Sequence, residues 1–568
     1  MSRKQDLSVV VIKFGGSVLK RDADLALAVH EVHRHVRAGQ RVVAVTSAFA
    51  GRTDALFARA ATFGPDASEE STAALVALGE EETSALLALA LDRAGLRTEV
   101  LSPSALGIRV EGSALSATVA STDATNLRAA LNRAEVVVVP GFVGVTATGS
   151  IALLGRGGSD LTAVLLAEAL DSDCILIKDV DGLYDPLAPE HSYASISYFD
   201  AAALNAKAFQ SHALAEAASR HRTVYVGRAV ADRLTRVGHF PTTRSSKPRE
   251  ACTTVALLGL GTVGRGVYER LIALEDRFEL LGVAVRDVGR HAASGVPRSL
   301  LTTNGNALAR EADLVIEVMG GGEPAASIVE ASLRRGAQVV TANKSLVAAH
   351  GIRLGAVAQA HGAALRFSAS VGGVAPCLEL VERRAQHGRV VQLEGVLNGT
   401  TNFILEALCG GESMVGALAL AQRRGYAEAD PSADVDGIDA AEKLRILCRL
   451  AFGREPDECT VEGIRNVDSG PSITRLVARA RITNGALIAS VRPEQLGIDH
   501  PLADVRGCWN RLLVTTDDGV TFVAHGKGAG RWPTTESIIA DALDAHRAIV
   551  RAASESGALR TNEAEVAV

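Results

Sequence analysis

The chain has 568 residues, 47% of them hydrophobic and 22% charged, with a formal charge of −6. That length and composition call for several domains with sizeable α/β cores, and so small a charge, with no basic stripe, argues against a nucleic-acid partner. Seven scattered cysteines with no Cys-x-x-Cys pair point to neither a disulfide framework nor a zinc site, and no metal-ligand set is legible.

The N-terminus, Met-Ser-Arg-Lys-Gln-Asp, runs directly into a strand with no signal peptide, so a cytoplasmic location is expected. That strand, Val9 to Phe14, ends in Lys13 and the Gly15-Gly16-Ser17 turn. Glycines there let backbone N–H groups approach phosphate oxygens, and a lysine can neutralise a phosphoryl group in transfer. Val42 to Ala48 reads as a second strand leading to Gly51-Arg52-Thr53-Asp54, and Leu78-Gly79-Glu80 as the opening of a helix through Leu91. The uncharged run from Glu135 to Arg156 has the length of a membrane span. Its Pro140, Gly141, Gly144 and Gly149 make strand-turn-strand the better reading, and no membrane association is expected. Leu154 to Ala163 is a glycine-rich loop entering a helix, a natural anion site. Cys174 to Lys178 is a further strand, closed by Asp179-Val180-Asp181-Gly182-Leu183-Tyr184. Alternating strands and helices predict a three-layer α/β domain.

In this order, Lys-Phe-Gly-Gly-Ser, Ser47-Ala48 with Thr53-Asp54, Gly79-Glu80, Gly155-Arg156-Gly157-Gly158-Ser159-Asp160 and Asp179-Val180-Asp181-Gly182 resemble the amino-acid kinase fold, specifically aspartate kinases. The resemblance implies ATP, with magnesium, as co-substrate and the β-carboxylate of aspartate as acceptor. Lys13 and Asp160 would be catalytic. Gly15, Gly16, Ser17, Asp179, Asp181 and Tyr184 would hold the nucleotide, and Ser47, Thr53, Glu80, Arg156 and Ser159 the amino acid, with Glu80 on its ammonium and Arg156 on its α-carboxylate. The acceptor is already ionised, so positioning and charge neutralisation suffice. Two departures stand out. The first loop is one residue shorter than the family's Lys-Phe-Gly-Gly-Thr-Ser, and the arginine expected near the ATP phosphates is Leu187, for which Lys178 could compensate. They keep open an alternative in which the kinase-like half is inactive or repurposed.

The polar stretch around Pro241 and Pro248 reads as a linker. Aspartate kinases usually carry regulatory ACT domains, each of about 70 residues; no room for them is found, and feedback through such a module is not expected.

Thr253 to Leu258 is an apolar strand entering Gly259-Leu260-Gly261-Thr262-Val263-Gly264, the Gly-x-Gly-x-x-Gly start of a dinucleotide-binding unit. The second strand ends at Arg286-Asp287. Arginine there fits a 2′-phosphate and an acid a 2′-hydroxyl, so the reading leans to NADP with NAD open. Strands from Asp313 and from Gln338 follow, the latter ending Thr341-Ala342-Asn343-Lys344, where α/β folds place ligands. Asp439 and Lys443, four apart, share a helix face.

Together with Gly-Gly-x-Glu-Pro-Ala, Asn398-Gly399-Thr400-Thr401-Asn402, the acidic Gly425–Pro431 loop and the late Gly526 to Thr534 segment, these motifs resemble homoserine dehydrogenase. The resemblance implies hydride transfer between nicotinamide and C4 of aspartate semialdehyde or homoserine. Lys344 and Lys443 would handle the proton, given a pKa lowered by desolvation or a neighbouring cation. Asp439 would orient Lys443, Glu428 would hold the substrate ammonium, Gly399 and Thr400 would shape the pocket, and Gly259, Gly261, Thr262, Val263, Gly264, Arg286, Thr341, Asn343 and Gly528 would bind the cofactor. At the family's monovalent-cation site an acid is replaced by Ser368, which makes the cation doubtful, and the Asn466 to Ile482 stretch is short enough to drop a helix.

The expected architecture is α/β throughout: an amino-acid kinase three-layer domain (1–232), a linker (233–252), a Rossmann NAD(P)-binding domain (253–390), an α+β substrate and dimerisation domain (391–515), a return segment (516–550) and a tail (551–568). Both resemblances imply association, as a homodimer or homotetramer, and small-molecule substrates.

Overall fold

The computed structural model describes residues 8–155, 157–185, 188–204, 209–231, 233–246, 252–427 and 430–565. The chain divides into two units, one spanning Gln5–Pro248 and one built from Arg249–Val568.

In the first unit Val9–Phe14 lies in parallel register between Arg41–Thr46 and Asp173–Ile177. Val136–Pro140 and Thr98–Val100 extend the sheet beyond the former; Val224–Gly227, Thr235–Gly238, Ala188–Ser197 and Tyr184–Asp185 extend it beyond the latter. The central strands are apolar runs without polar alternation because helices cover both faces of such a sheet. Val11 and Ile12, with side chains on opposite faces, are both fully buried. Helix Glu69–Ala94 packs on Val136–Pro140, and helix Gly158–Leu170 on Val9–Phe14 and Asp173–Ile177. The uncharged run resolves into Val136–Pro140, Val143–Val145 and Ile151–Leu153, the last two in a separate four-stranded sheet. Among the described residues no helix is long and apolar enough to cross a membrane.

Two expectations for this unit are corrected. Thr235–Gly238 and Thr243–Ser246 are strands paired with Ala188–Ser197, so the sheet continues through most of the expected linker. Thr235–Gly238 is an interior strand, paired also with Val224–Gly227, whereas Thr243–Ser246 pairs only with Ala188–Ser197 among the described residues and has the polarity of an edge strand, which blocks further pairing. The second concerns Gly79, which lies inside helix Glu69–Ala94 and does not open it; Ser68 caps the helix, its Oγ accepting from Ser71 N–H at 3.1 Å. Gly79 is there for close approach: a Cβ would stand 3.1 Å from that of Ala48 and 3.2 Å from Leu56.

The second unit begins with six parallel strands in the order Leu301–Thr302, Phe278–Ala284, Thr253–Leu258, Leu314–Glu317, Gln338–Thr341, Leu365–Arg366. Numbered along the chain, that is the 3-2-1-4-5-6 order of a dinucleotide fold, whose ligands sit where the order reverses, beyond Leu258. A second, largely antiparallel sheet runs Glu458–Val461, Ala486–Gln495, Thr474–Thr483, Val390–Val396, Trp509–Thr516, Thr521–Lys527. Helices Cys377–His387, Gly399–Cys409 and Ile438–Phe452 share its apolar core. Since Cys377, Leu378, Leu380 and Val381 belong to that core, the substrate layer starts before residue 391. Trp509–Thr516 and Thr521–Lys527 remain in its sheet, so the return begins with helix Arg531–Glu565, which also runs through most of the expected tail. That helix packs on Thr262–Ala273. Between Glu458–Val461 and Thr474–Thr483 the backbone forms no helix, as the short spacing there implied.

Candidate active sites

At the end of Thr253–Leu258, Gly259 takes φ +104°, and a Cβ on it would lie 2.8 Å from Val318 O. On Gly264 a Cβ would meet Gly259 O at 2.3 Å, whereas one on Gly261 would meet nothing within 4 Å. The first and third glycines are therefore needed for the turn, and the second leaves space over the N-terminus of helix Thr262–Ala273. Exposed Thr262 and half-buried Val263 open that helix, whose N–H groups and dipole suit a pyrophosphate. One strand over, Asp287 caps helix Val288–Ala293, its Oδ1 accepting from Arg290 N–H at 2.9 Å, while Arg286 is exposed.

Beneath this turn lies a carboxylate the sequence reading missed. Glu317, fully buried at the end of its strand, accepts from Met319 N–H (2.8 Å), Gly320 N–H (3.2 Å) and the Thr341 hydroxyl (2.6 Å). Thr341, expected at the cofactor, is itself fully buried, and its hydroxyl helps to hold Glu317 beneath the loop. Asn343 donates to Gly321 O at 2.7 Å and caps the helix that Lys344 opens. Gly528, also expected at the cofactor, makes room for Asn510: a Cβ there would lie 2.0 Å from the Asn510 amide nitrogen.

The catalytic candidates converge on Asp439, in the first turn of Ile438–Phe452 and 3% exposed. Lys344, ninety-five residues away, donates to Oδ1, and Lys443 lies 2.7 Å from Oδ2. Asn398 also donates to Oδ2, at 2.8 Å, and to Asp434 at 2.6 Å. Lys443 reaches Leu397 O at 2.9 Å, sharing that carbonyl with Asn510 at 3.1 Å. Burial alone would push Asp439 up, but the ammonium groups of Lys443 and Lys344 outweigh it and hold the carboxyl well below its usual range. Burial pulls Lys344 down, yet Asp439 outweighs it and the lysine is raised. The expected lowering of a lysine pKa is thus reversed at Lys344: the carboxylate holds its proton on. Lys344 is about a third exposed and Lys443 buried, so Lys344 faces the open side.

Around this cluster, Thr400 donates to Tyr426 O at 2.7 Å, tying the start of helix Gly399–Cys409 to the first residues of the acidic loop. Gly399 is packed on Cys508, whose carbonyl oxygen a Cβ would meet at 2.7 Å. Glu428 lies outside the described residues. Ser368 donates from its N–H and Oγ to the two oxygens of Asp541, at 2.9 and 2.8 Å, so that carboxylate is already bound to the chain.

In the first unit Lys13, 6% exposed, lies 2.7 Å from Asp160 in the first turn of Gly158–Leu170. Lys178 donates to the same carboxylate at 2.8 and 3.1 Å. Burial would raise Asp160, but Lys13 and Lys178 outweigh it and lower it; burial and then the Lys13 charge bring Lys178 down to about 8. A Cβ on Gly15 would stand 2.7 Å from the Lys13 ammonium, and one on Gly141 2.7 Å from the Ser159 Cβ. Both glycines keep the strand ends open around this charge cluster, with half-buried Ser47 and exposed Ser17 on the neighbouring turns and Thr53 in the helix beyond.

Glu80 is 3% exposed, and one of its carboxylate oxygens has no hydrogen-bond partner. Burial pushes it up to about 8, against the opposing Ala48 N–H and the Lys13 charge. One oxygen of this buried carboxyl thus keeps an unused acceptor position. Arg156 and Leu187 lie outside the described residues. Of the nucleotide-loop candidates, Asp179 is exposed, Asp181 pairs with Arg228 at 3.0 Å, and burial with the Asp181 charge pushes Tyr184 up to about 12.

Residues 8–227 match the amino acid kinase family, 259–368 the NAD binding domain of homoserine dehydrogenase, and 376–543 homoserine dehydrogenase itself. The chain is 38% identical over 315 residues to a homoserine dehydrogenase of Synechocystis sp., covering 51% of this chain and 72% of that protein. It is 36% identical over 333 residues to the homoserine dehydrogenase of Corynebacterium glutamicum, covering 54% and 75%. A crystal structure of a homoserine dehydrogenase from Thiobacillus denitrificans aligns at 36% identity with a TM-score of 0.48, over 52% of this chain and 74% of that one.

Proposed function

Because the chain belongs to the homoserine dehydrogenase family and carries an amino acid kinase domain ahead of it, we propose that one polypeptide catalyses two steps of aspartate metabolism. The first is ATP-dependent phosphorylation of the L-aspartate β-carboxylate; the second is NAD(P)-dependent interconversion of L-aspartate 4-semialdehyde and L-homoserine. The observation that carries the second is the meeting of Lys344, from the nucleotide-binding layer, with Asp439 and Lys443, from the substrate layer.

Bound NAD(P)H supplies a hydride to the aldehyde carbon. The chain supports this step in three ways. The Gly259–Gly264 turn and the helix it opens would hold the pyrophosphate, and exposed Arg286 would favour NADP by meeting a 2′-phosphate. Two ammonium groups around one carboxylate leave the cluster a net positive charge, which stabilises the oxygen as it becomes an alkoxide. Lys344, raised and partly open, then donates the proton that completes the alcohol. Glu428 takes the substrate ammonium. No step runs through a monovalent cation, because Ser368 and Asp541 satisfy one another where the family places an acid.

In the kinase half, an aspartate β-carboxylate oxygen attacks the γ-phosphorus of ATP, which enters with magnesium, and the P–O bond to ADP breaks. Lys13 and Lys178 face the developing charge, Asp160 holds both lysines, and Glu80 ionises to receive the substrate ammonium. That intact cluster favours an active kinase over an inert or repurposed one. We place the enzyme in the cytoplasm, where its seven free thiols would stay reduced, as a homodimer or homotetramer.

Lys344→Ala and Lys443→Ala test the dehydrogenase assignment. Loss of a positioned proton donor should lower the rate about 10²- to 10⁴-fold; normal NADP-linked homoserine oxidation in both would reject it.

A further inference from the structure

The nucleotide loop of the kinase half carries Leu187 where a phosphate-binding arginine is expected, and the structure bears on what replaces it. Lys178 is already committed to the Lys13–Asp160 cluster, where both oxygens of Asp160 engage it, so the nucleotide loop needs a further cation. The adjacent strand end offers another cation. Val224–Gly227 runs parallel to Asp173–Ile177, with Gly227 opposite Ile177, and Lys178 N–H donates to Gly227 O at 2.8 Å. The next residue, Arg228, thus stands beside Lys178 at the carboxyl ends of the parallel strands, where ligands of such sheets bind. Its Nε lies 3.0 Å from Asp181 Oδ1 in the nucleotide loop, and its side chain is 35% exposed.

The turn that carries Arg228 is held in an unusual way. Val230 adopts φ +57°, a costly conformation for a β-branched residue. Its N–H donates at 2.5 Å to Glu31, a fully buried carboxylate on helix Leu25–Arg37. Arg34 and His35 pair with the same carboxylate. A strained turn anchored on a buried charge fixes the backbone that aims Arg228.

Resting on the kinase reading above, we infer that Arg228 supplies the polyphosphate-binding cation of the nucleotide loop, in place of the arginine lost at position 187, and that Glu31 positions it through Val230. The loop already holds Asp179 and Asp181, so an arriving polyphosphate needs a cation there, and a guanidinium can turn from Asp181 to a phosphate without leaving the strand end.

The test measures ATP, tripolyphosphate and adenosine binding to the full-length chain by calorimetry, beside aspartyl phosphate formation. Arg228→Ala should weaken ATP and tripolyphosphate by the same factor, roughly 10- to 100-fold for one charged contact. Adenosine affinity and the KM for aspartate should not move. Arg228→Lys should recover part of the loss and separates charge from folding, and Glu31→Gln should weaken tripolyphosphate while sparing adenosine. Unchanged tripolyphosphate affinity in Arg228→Ala, or an equal loss for adenosine, overturns the inference and leaves the kinase reading intact. A parent chain that binds ATP through Arg228 yet forms no aspartyl phosphate rejects the kinase reading alone. A parent that binds no ATP rejects both.

Discussion

Replacing Asp439 by asparagine keeps the shape of the residue at the centre of the dehydrogenase cluster and removes its charge. Asp439 is 3% exposed and receives Lys344, Lys443 and Asn398. Each charged hydrogen bond is worth about 1.5–3 kcal/mol. The contact with Lys344 is discounted because that side chain is about a third exposed, and asparagine still offers one acceptor to Lys443. The net loss is therefore about 2–4 kcal/mol, which, felt wholly in the transition state, lowers kcat/KM for aldehyde reduction roughly 30- to 1,000-fold. The pH profile should move as well. Asp439 raises the Lys344 pKa, so without it Lys344 releases its proton at lower pH. Reduction needs the protonated lysine, and its alkaline decline should then begin at lower pH than in the parent. The assay is NADPH oxidation against pH for both proteins. Parent-like kcat/KM with an unmoved alkaline limb would refute the view that Asp439 organises the two lysines.

Other consequences follow from the same geometry. Arg286→Ala should raise the KM for NADPH about tenfold or more and leave NADH little changed, since only the 2′-phosphate contact is lost; steady-state kinetics with both nucleotides decide this. Gly264→Val should abolish NAD(P) binding, because a Cβ there meets Gly259 O at 2.3 Å, while the kinase assay on the same protein stays within about twofold. Glu80 has a folded pKa of about 8, above its unfolded value. It therefore favours the folded, substrate-free kinase half at low pH, and that contribution is lost as pH rises from about 4 through 8. Aspartate binding should release a proton near neutrality, read as buffer-dependent binding heat, and its KM should fall about tenfold from pH 6.5 to 8.5; Glu80→Gln should lose both effects.

How much of this was legible in the sequence depended on distance along the chain. The Gly259–Gly264 turn and the Asp439–Lys443 spacing are local, and their geometry follows from strand-turn-helix and from i,i+4 on a helix. The joining of Lys344 to Asp439 spans ninety-five residues and depends on two layers packing together, so only family resemblance pointed to it. Glu317 was hidden inside an apolar strand, with its partners set by a loop not yet built. Asn398 stood within a quoted motif, but its double role, capping one helix and bridging to Asp434 and Asp439 on two others, needed coordinates. Gly79 reads as a helix opener because a glycine needed for tight packing looks the same in sequence as one at a boundary. Thr243–Ser246 reads as linker because a polar strand carries no apolar alternation to betray it. For Thr341 and Gly528 the resemblance alone speaks for the cofactor; the hydroxyl bond of Thr341 to Glu317 and the close fit of Gly528 on Asn510 are tertiary contacts that no local pattern encodes.

The central claim is that one chain performs both reactions, and a paired assay on a single purified preparation tests it most directly. ATP and aspartate are supplied with hydroxylamine to trap the acyl phosphate, and NADP and homoserine are supplied in parallel. Turnover is expected in both reactions, with Lys13→Ala abolishing only the first and Lys443→Ala only the second. Homoserine oxidation without any ATP-dependent hydroxamate would contradict it, as would hydroxamate formation that survives Lys13→Ala.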